Sequence, residues 1–424
     1  MNAPFVTFAF AGLLLATLLV KLWLATRQIR HVALHRSQVP AAFAESITLE
    51  NHQRAADYTI AKLRFGLVSS AVSAAILVGW TLLGGLDLLN QWLLSHALEP
   101  LGGLGYQLAL LAAFSVVGSL IELPLDVWNT FRLEQRFGFN RMTWGLWLGD
   151  LLKGSLLGVA IGGPIAALIL WLMGAAGSLW WLWAWAAWVG FALLMMVIFP
   201  TVIAPLFNKF KPLDDEGLKA RVEGLMRRCG FASKGLFVMD GSRRSAHANA
   251  YFTGLGAAKR VVFFDTLLSR LSAGEVEAVL AHELGHFKHK HVLKRMIGVF
   301  AVSLLGFALL GWLSQQVAFY TGLGVRPHLG MAPNDALALL LFMMVIPLVT
   351  FFTAPLMATL SRRDEFQADA YACAHASGGD LARALVKLYE DNASTLTPDP
   401  WYVRFYYSHP PASERLAALA LPAR

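Results

Sequence analysis

Long apolar runs alternate with polar connections along this chain. Seven stretches are apolar over about 20 residues or more, the length a helix needs to cross the hydrocarbon core of a bilayer. They are 4–26, 65–94, 106–127, 151–173, 178–206, 296–320 and 336–358. One such run could be the buried helix of a large soluble protein. Seven, joined mostly by short loops, predict an all-α polytopic membrane protein with seven transmembrane helices. The first run lacks a basic segment before Pro4 and continues to Lys21, so it reads as a retained span rather than a cleaved leader.

Two polar segments break the pattern. Within 207–295, residues 214–229 have the periodicity of an amphipathic helix, and Leu236 to Met239 reads as a strand. Asn249 to Phe252 and Arg260 to Phe264 read as a hairpin around Gly254-Leu255-Gly256. Ser272-Ala273-Gly274-Glu275 is a capping box that opens a helix. The second segment, 359–424, follows the last span. The expected organisation is spans one to five in 1–206, with a polar connection at 27–64, then 207–295, spans six and seven in 296–358, and 359–424. The two polar segments would together form a small α+β domain at the membrane.

Composition agrees with this division. Hydrophobic residues make up 57% of the 424 and charged residues 15%, whereas soluble domains carry about a quarter charged. A soluble enzyme, a disordered chain and a collagen-like repeat are excluded. Two cysteines, Cys229 and Cys373, build no disulfide framework. The net charge of +8 raises the question of nucleic acid, and the placement of the cations answers it. The 27–64 connection carries Arg27, Arg30, Arg36, Arg54, Lys62 and Arg64, and Arg132, Arg136 and Arg141 follow the third span. Residues 95–105 and 174–177 carry none, and 321–335 carries only Arg326. By the positive-inside rule the N-terminus lies outside, and 207–295 and 359–424 are cytoplasmic. The partner expected from the charge is the bilayer, with no nucleic acid. Trp180, Trp181, Trp183 and Trp185 read as an aromatic belt at the outer end of the fifth span. Glu122 reads as facing a bundle interior, and Asp126, Asp150 and Lys153 as reaching the interface.

The chemistry concentrates in His282-Glu283-Leu284-Gly285-His286. Histidines at i and i+4 share one helix face and can reach one metal ion, with the intervening glutamate placed as a general base. Zinc with three protein ligands and an open fourth position lowers the pKa of a bound water to about 7. The simplest alternative is a chance pattern on a histidine-rich helix end, because His289 and His291 follow. A third ligand would come from Arg363-Asp364-Glu365-Phe366-Gln367-Ala368-Asp369. There Glu365 and Asp369 stand at i and i+4, and a carboxylate one turn beyond a ligand can hold a ligand histidine through its other nitrogen. Spacing leaves Asp364 in competition with Glu365.

Three further stretches join these motifs: Phe137-Gly138-Phe139-Asn140, the run from Ile203 to Phe210, and His409-Pro410-Pro411 followed by Arg415. With Asn249-Ala250-Tyr251-Phe252 they make most of the chain resemble the type I CAAX prenyl protease family of membrane zinc endopeptidases. The resemblance implies that His282, His286 and Glu365 bind one Zn2+, with Glu365 preferred over Asp364, and that Asp369 supports the ligands. It implies that Glu283 activates water and protonates the leaving amine, and that His409 stabilises the oxyanion. Arg415 would tie down the carboxylates. Asn249, Ala250, Tyr251 and Phe252 would form an edge strand to which an extended peptide adds. The family's helices enclose a chamber, which would suit Glu122. The substrate would be a peptide or protein, with the C-terminal tripeptide of a prenylated CAAX sequence removed. The protein would lie in a bacterial inner membrane or a eukaryotic endoplasmic reticulum. A quality-control protease of misfolded membrane proteins is the second enzymatic reading. A transporter with a coincidental motif would instead carry its polar groups in mid-span.

Overall fold

The structure is a computed structural model that describes residues 2–231, 235–253, 260–328, 330 and 333–420. Among these residues, seven helices are long and apolar enough to cross a membrane. They are Ala3–Leu34, Leu49–Trp80, Gly85–Glu134, Trp144–Ala175, Gly177–Phe207, His291–Leu313 and Asp335–His375. Leu305, Val302 and Leu156 are examples of the large apolar side chains left exposed on their outer faces, as a surface solvated by lipid requires. Between the helices, Leu86, Tyr106, Leu110, Leu170, Leu310 and Leu341 form a buried core.

Several boundaries differ from the sequence expectation. The run 65–94 is split: the second helix ends at Trp80, and Gly84, with φ 77°, turns the chain into the third. A positive φ is open to glycine without steric cost, so an uninterrupted apolar run conceals a helix break. The expected loop 95–105 is helical and bends at Gly102, φ 67°, next to Pro100. The expected connection 27–64 is largely helix, because spans one and two run on past their apolar stretches. Hydropathy marks only the part of a helix that meets hydrocarbon.

Several polar residues of the spans are paired. Asp87 accepts from the Arg326 guanidinium at 2.7 Å, and Asn90 bridges Tyr106 and His328. Trp147 Nε1 donates to Asp126 at 3.1 Å. Glu122 is exposed, a state that a water-filled space allows and a lipid face penalises. The tryptophan cluster is only partly a belt. Trp183 is exposed, whereas Trp180 is buried and Trp185 Nε1 donates to Phe300 O of the sixth span at 3.1 Å.

The second part of the molecule is a small α+β unit. Its strands are β1 (Phe210–Pro212), β2 (Leu236–Met239), β3 (Ala250–Thr253) and β4 (Arg260–Phe264), in spatial order β1-β2-β4-β3. β2 and β4 run parallel; β1 and β3 are antiparallel to their neighbours. The hairpin of Asn249 to Phe252 with Arg260 to Phe264 is therefore present as β3 and β4, while its expected turn at Gly254-Leu255-Gly256 lies outside the described residues. The sheet packs on helices α1 (Glu216–Arg228) and α2 (Ala273–Lys288) through Val222, Leu225, Val261, Phe263, Leu280 and Leu284. Asp215 caps α1, and α2 starts with both bonds of the Ser272–Glu275 capping box. The C-terminal segment adds α3 (Gly378–Asp391), α4 (Pro400–Tyr406) and α5 (Ala412–Ala420).

Ion pairs fasten this unit to the membrane helices. Arg27 of the first span meets Asp399 at 2.9 Å, and Arg244 meets Asp150 of the fourth span at 2.8 Å while also donating to Asn208. Asp150 thus ties the fourth span to the connection between β2 and β3.

Candidate metal centre

The centre forms where α2 crosses the seventh-span helix, whose last turns leave the apolar stretch and carry Glu365 and Asp369. The crossing is close because of Gly285: a Cβ there would lie 2.9 Å from Ala368 Cα and 3.1 Å from Ala368 O. The glycine inside the histidine motif thus sets how near the two halves of the site approach.

His282 Nε2 and His286 Nε2 are 3.2 Å apart. Glu365 Oε2 lies 3.4 Å from the first and Glu365 Oε1 3.3 Å from the second. Donors about 2.0–2.2 Å from one tetrahedral ion are spaced by about 3.3 Å, so each of these spacings suits a pair of donors to one zinc ion. These atoms form a group able to hold a metal ion. Glu365 Oε2 is buried without a hydrogen-bond partner, a costly state for a carboxylate that bound metal relieves. Two imidazoles and a carboxylate are also the donor set of catalytic zinc.

Each histidine is oriented from behind. His282 Nδ1–H donates to Asp369 Oδ1 at 2.8 Å, which leaves the Nε2 lone pair facing the centre. Arg415, itself 5% exposed, bonds Asp369 through Nε at 2.9 Å and lies 3.6 Å from Glu365 Oε2 through Nη1. Burial lowers the pKa of His282, but the neighbouring Asp369 and Glu365 carboxylates outweigh it and raise the value to about 9. A metal therefore has to displace a proton held by the site's own carboxylates. His286 Nδ1 is 3.0 Å from His291 Nδ1, and His291 Nε2 is 3.0 Å from Gln367 Oε1. With Nε2–H donated to Gln367, His291 Nδ1 accepts from His286 and leaves the His286 Nε2 lone pair free. Asp364 pairs instead with His291 and Arg295 at 3.5 and 3.7 Å. The sequence reading missed His291 and Gln367 as supporting groups and counted His291 toward chance; its i+5 spacing from His286 across a helix end was the available signal.

A cavity of about 650 Å³ opens onto the centre. Glu283, His409, Asn249 and Ala250 line it, together with Tyr58 and Lys62 of the second span. Burial raises the pKa of Glu283, and His282 and His286 oppose that shift. His409 Nε2 is 3.3 Å from Glu365 Oε1, and its side chain is 61% exposed toward the cavity. The loop bearing His409 is held by Arg362, which donates to Val403 O and Tyr407 O, and by Tyr389, which donates to Pro410 O. β3 is an edge strand. Its alternation turns Ala250 toward this cavity and Tyr251 toward a separate one on the other side. The backbone of Phe252 pairs with Val261.

Comparison with known proteins gives a consistent result across the whole chain. Residues 28–209 match a family described as CAAX prenyl protease N-terminal, five membrane helices, and residues 212–423 match peptidase family M48. Relatives include CAAX prenyl protease 1 homolog of Oryza sativa subsp. japonica, 35% identical, with 92% of each chain covered. CAAX prenyl protease 1 of Saccharomyces cerevisiae is 34% identical, with 96% of this chain and 94% of the relative covered. The crystal structure of S. mikatae Ste24p superposes with a TM-score of 0.90 at 32% identity over 99% of both chains. The chain belongs to peptidase family M48, as a multi-pass membrane metalloprotease of the CAAX prenyl protease type.

Proposed function

We propose that this protein is a zinc endopeptidase that cuts an extended peptide at the membrane surface and removes the C-terminal tripeptide of prenylated CAAX substrates. The observation that carries the reading is the convergence of His282 Nε2, His286 Nε2 and the Glu365 carboxylate, with spacings of 3.2–3.4 Å to one or other of its oxygens. The names of the relatives support the substrate class.

When bound, the zinc ion supplies Lewis acidity that polarises the scissile carbonyl and acidifies water. The residues do the rest. The peptide pairs with β3 along Asn249 to Phe252, whose outer edge pairs with no strand among the described residues. Glu283 takes a proton from the attacking water and passes it to the leaving amine; its raised pKa brings it nearer the working range of such a shuttle. His409 Nε2 donates to the oxyanion as the carbonyl becomes tetrahedral. Asp369 fixes His282, and Arg415 restrains Asp369 and Glu365. The site faces the cytoplasm. The connection between spans one and two, rich in arginine, contacts the same domain through Arg27–Asp399, which supports that orientation.

The test is to incubate the purified, detergent-solubilised chain with a farnesylated CAAX peptide and an unprenylated copy, with and without a zinc chelator. Chelator-sensitive release of the tripeptide from the farnesylated peptide is expected. Equal cleavage of both peptides would move the assignment to a general membrane protease.

A further inference from the structure

We infer that the opposite face of the sheet carries a binding site for a phosphate group borne by a lipid, formed where the fifth span leaves the membrane. A second cavity of about 430 Å³ lies there. Lys209, Lys211 and Arg260 line it, and no carboxylate does among the described residues. None of the three cations forms an ion pair with a described residue. Asp240 accepts from the Lys209 backbone N–H at 2.7 Å and does not line the cavity. The cavity therefore concentrates positive charge that the protein does not itself neutralise, and its complement is an anion.

The walls indicate what carries the anion. Pro200 and Pro205, from the last turns of the fifth span, close one side. On the same turns Phe199, Val202 and Leu206 are 56%, 56% and 49% exposed, an apolar track leading from the hydrocarbon to the cations. Phe237 lies beneath Arg260, with the guanidinium 5.3 Å from the ring centre. A soluble phosphate would use the cations and leave the apolar track bare. An anionic phospholipid fits both, with its phosphate among Lys209, Lys211 and Arg260 and its acyl chains along the fifth span. Tyr251 joins this cavity to β3, whose preceding residue, Ala250, lines the cavity of the metal centre. A seated headgroup would brace the edge strand from behind.

Native mass spectrometry of the full chain in detergent, with equal phosphatidylglycerol and phosphatidylcholine, tests this. The wild type is expected to retain phosphatidylglycerol over phosphatidylcholine by about tenfold or more. Lys209→Gln, Lys211→Gln and Arg260→Gln combined should bring the ratio close to one. Arg260→Lys, which keeps the charge, should preserve it. Lys219→Gln with Arg227→Gln, removing cations of α1, should also leave it unchanged. Unaltered zinc content would establish that each variant is folded. An undiminished preference in the triple variant overturns the site. Thermal stabilisation by millimolar inorganic phosphate equal to that by phosphatidylglycerol overturns the lipid as its source.

Discussion

His286 Nδ1 lies 3.0 Å from His291 Nδ1, so a residue beyond the end of α2 orients one of the two histidines of the metal pair. His282 is held by a carboxylate, Asp369, and His286 by a neutral ring that Gln367 polarises. The two histidines are thus oriented by different kinds of group although their sequence spacing makes them look equivalent.

His291→Ala should weaken zinc binding by about 10–100-fold, the usual effect of losing a group that orients a ligand. Competition with a chromophoric chelator measures it. His291→Asn, which can still accept from His286, should recover part of the loss. An unchanged affinity in His291→Ala would remove the orienting role.

Gly285→Ala should separate α2 from the seventh-span helix, because the added Cβ would meet Ala368 backbone at 2.9 Å. The helices cannot yield by rotating a side chain. Overpacking of this kind costs about 1–3 kcal/mol, and the displacement should also lengthen the reach from the histidines to Glu365. Melting temperature and zinc content are expected to fall together. A melting temperature lowered at full zinc occupancy would show that the packing and the ligand geometry are independent.

Much of this was legible in the chain because two signals are local. Apolar runs report hydrocarbon contact, and the His282–His286 spacing reports a shared helix face. The break at Gly84 was not legible, since the residues on either side of it remain apolar. The supporting pair His291 and Gln367 was not legible for a different reason: Gln367 reaches His291 across 76 positions. Arg415, which reaches Asp369 across 46, was legible only through the family resemblance. Nothing in the local pattern distinguishes such residues from a solvated helix face. The same holds for Tyr58 and Lys62, which reach the cavity only because the second helix continues beyond its apolar stretch. The second set of cations, at Lys209, Lys211 and Arg260, contributed to the charge count while their convergence on one cavity stayed hidden.

Glu283→Gln should keep zinc content near that of the wild type and lower peptide hydrolysis by at least about 10²–10⁴-fold, the scale of a lost proton shuttle. Glu283 is not one of the grouped donors, so the two readouts separate. Hydrolysis at a near-normal rate would exclude Glu283 as the base.

Acid sensitivity should have a component from Glu275, which is 2% exposed and bonded to Lys387 at 2.7 Å and to the Ser272 backbone N–H at 2.7 Å. Burial alone would raise its pKa, but these bonds dominate and lower it from 4.5. Glu275 therefore holds its proton more weakly in the folded state than in the unfolded chain, and its contribution is complete above about pH 4.5. Falling pH protonates the unfolded state first, and the contribution is lost as pH passes through the folded value. Lys387 is 42% exposed, so water limits the gain to about 1 kcal/mol. Melting curves of wild type and Glu275→Gln should differ at pH 7, and the gap should narrow as pH falls below 4.5. A gap that persists unchanged at pH 3 would mean that Glu275 stabilises α2 by packing rather than by its charge.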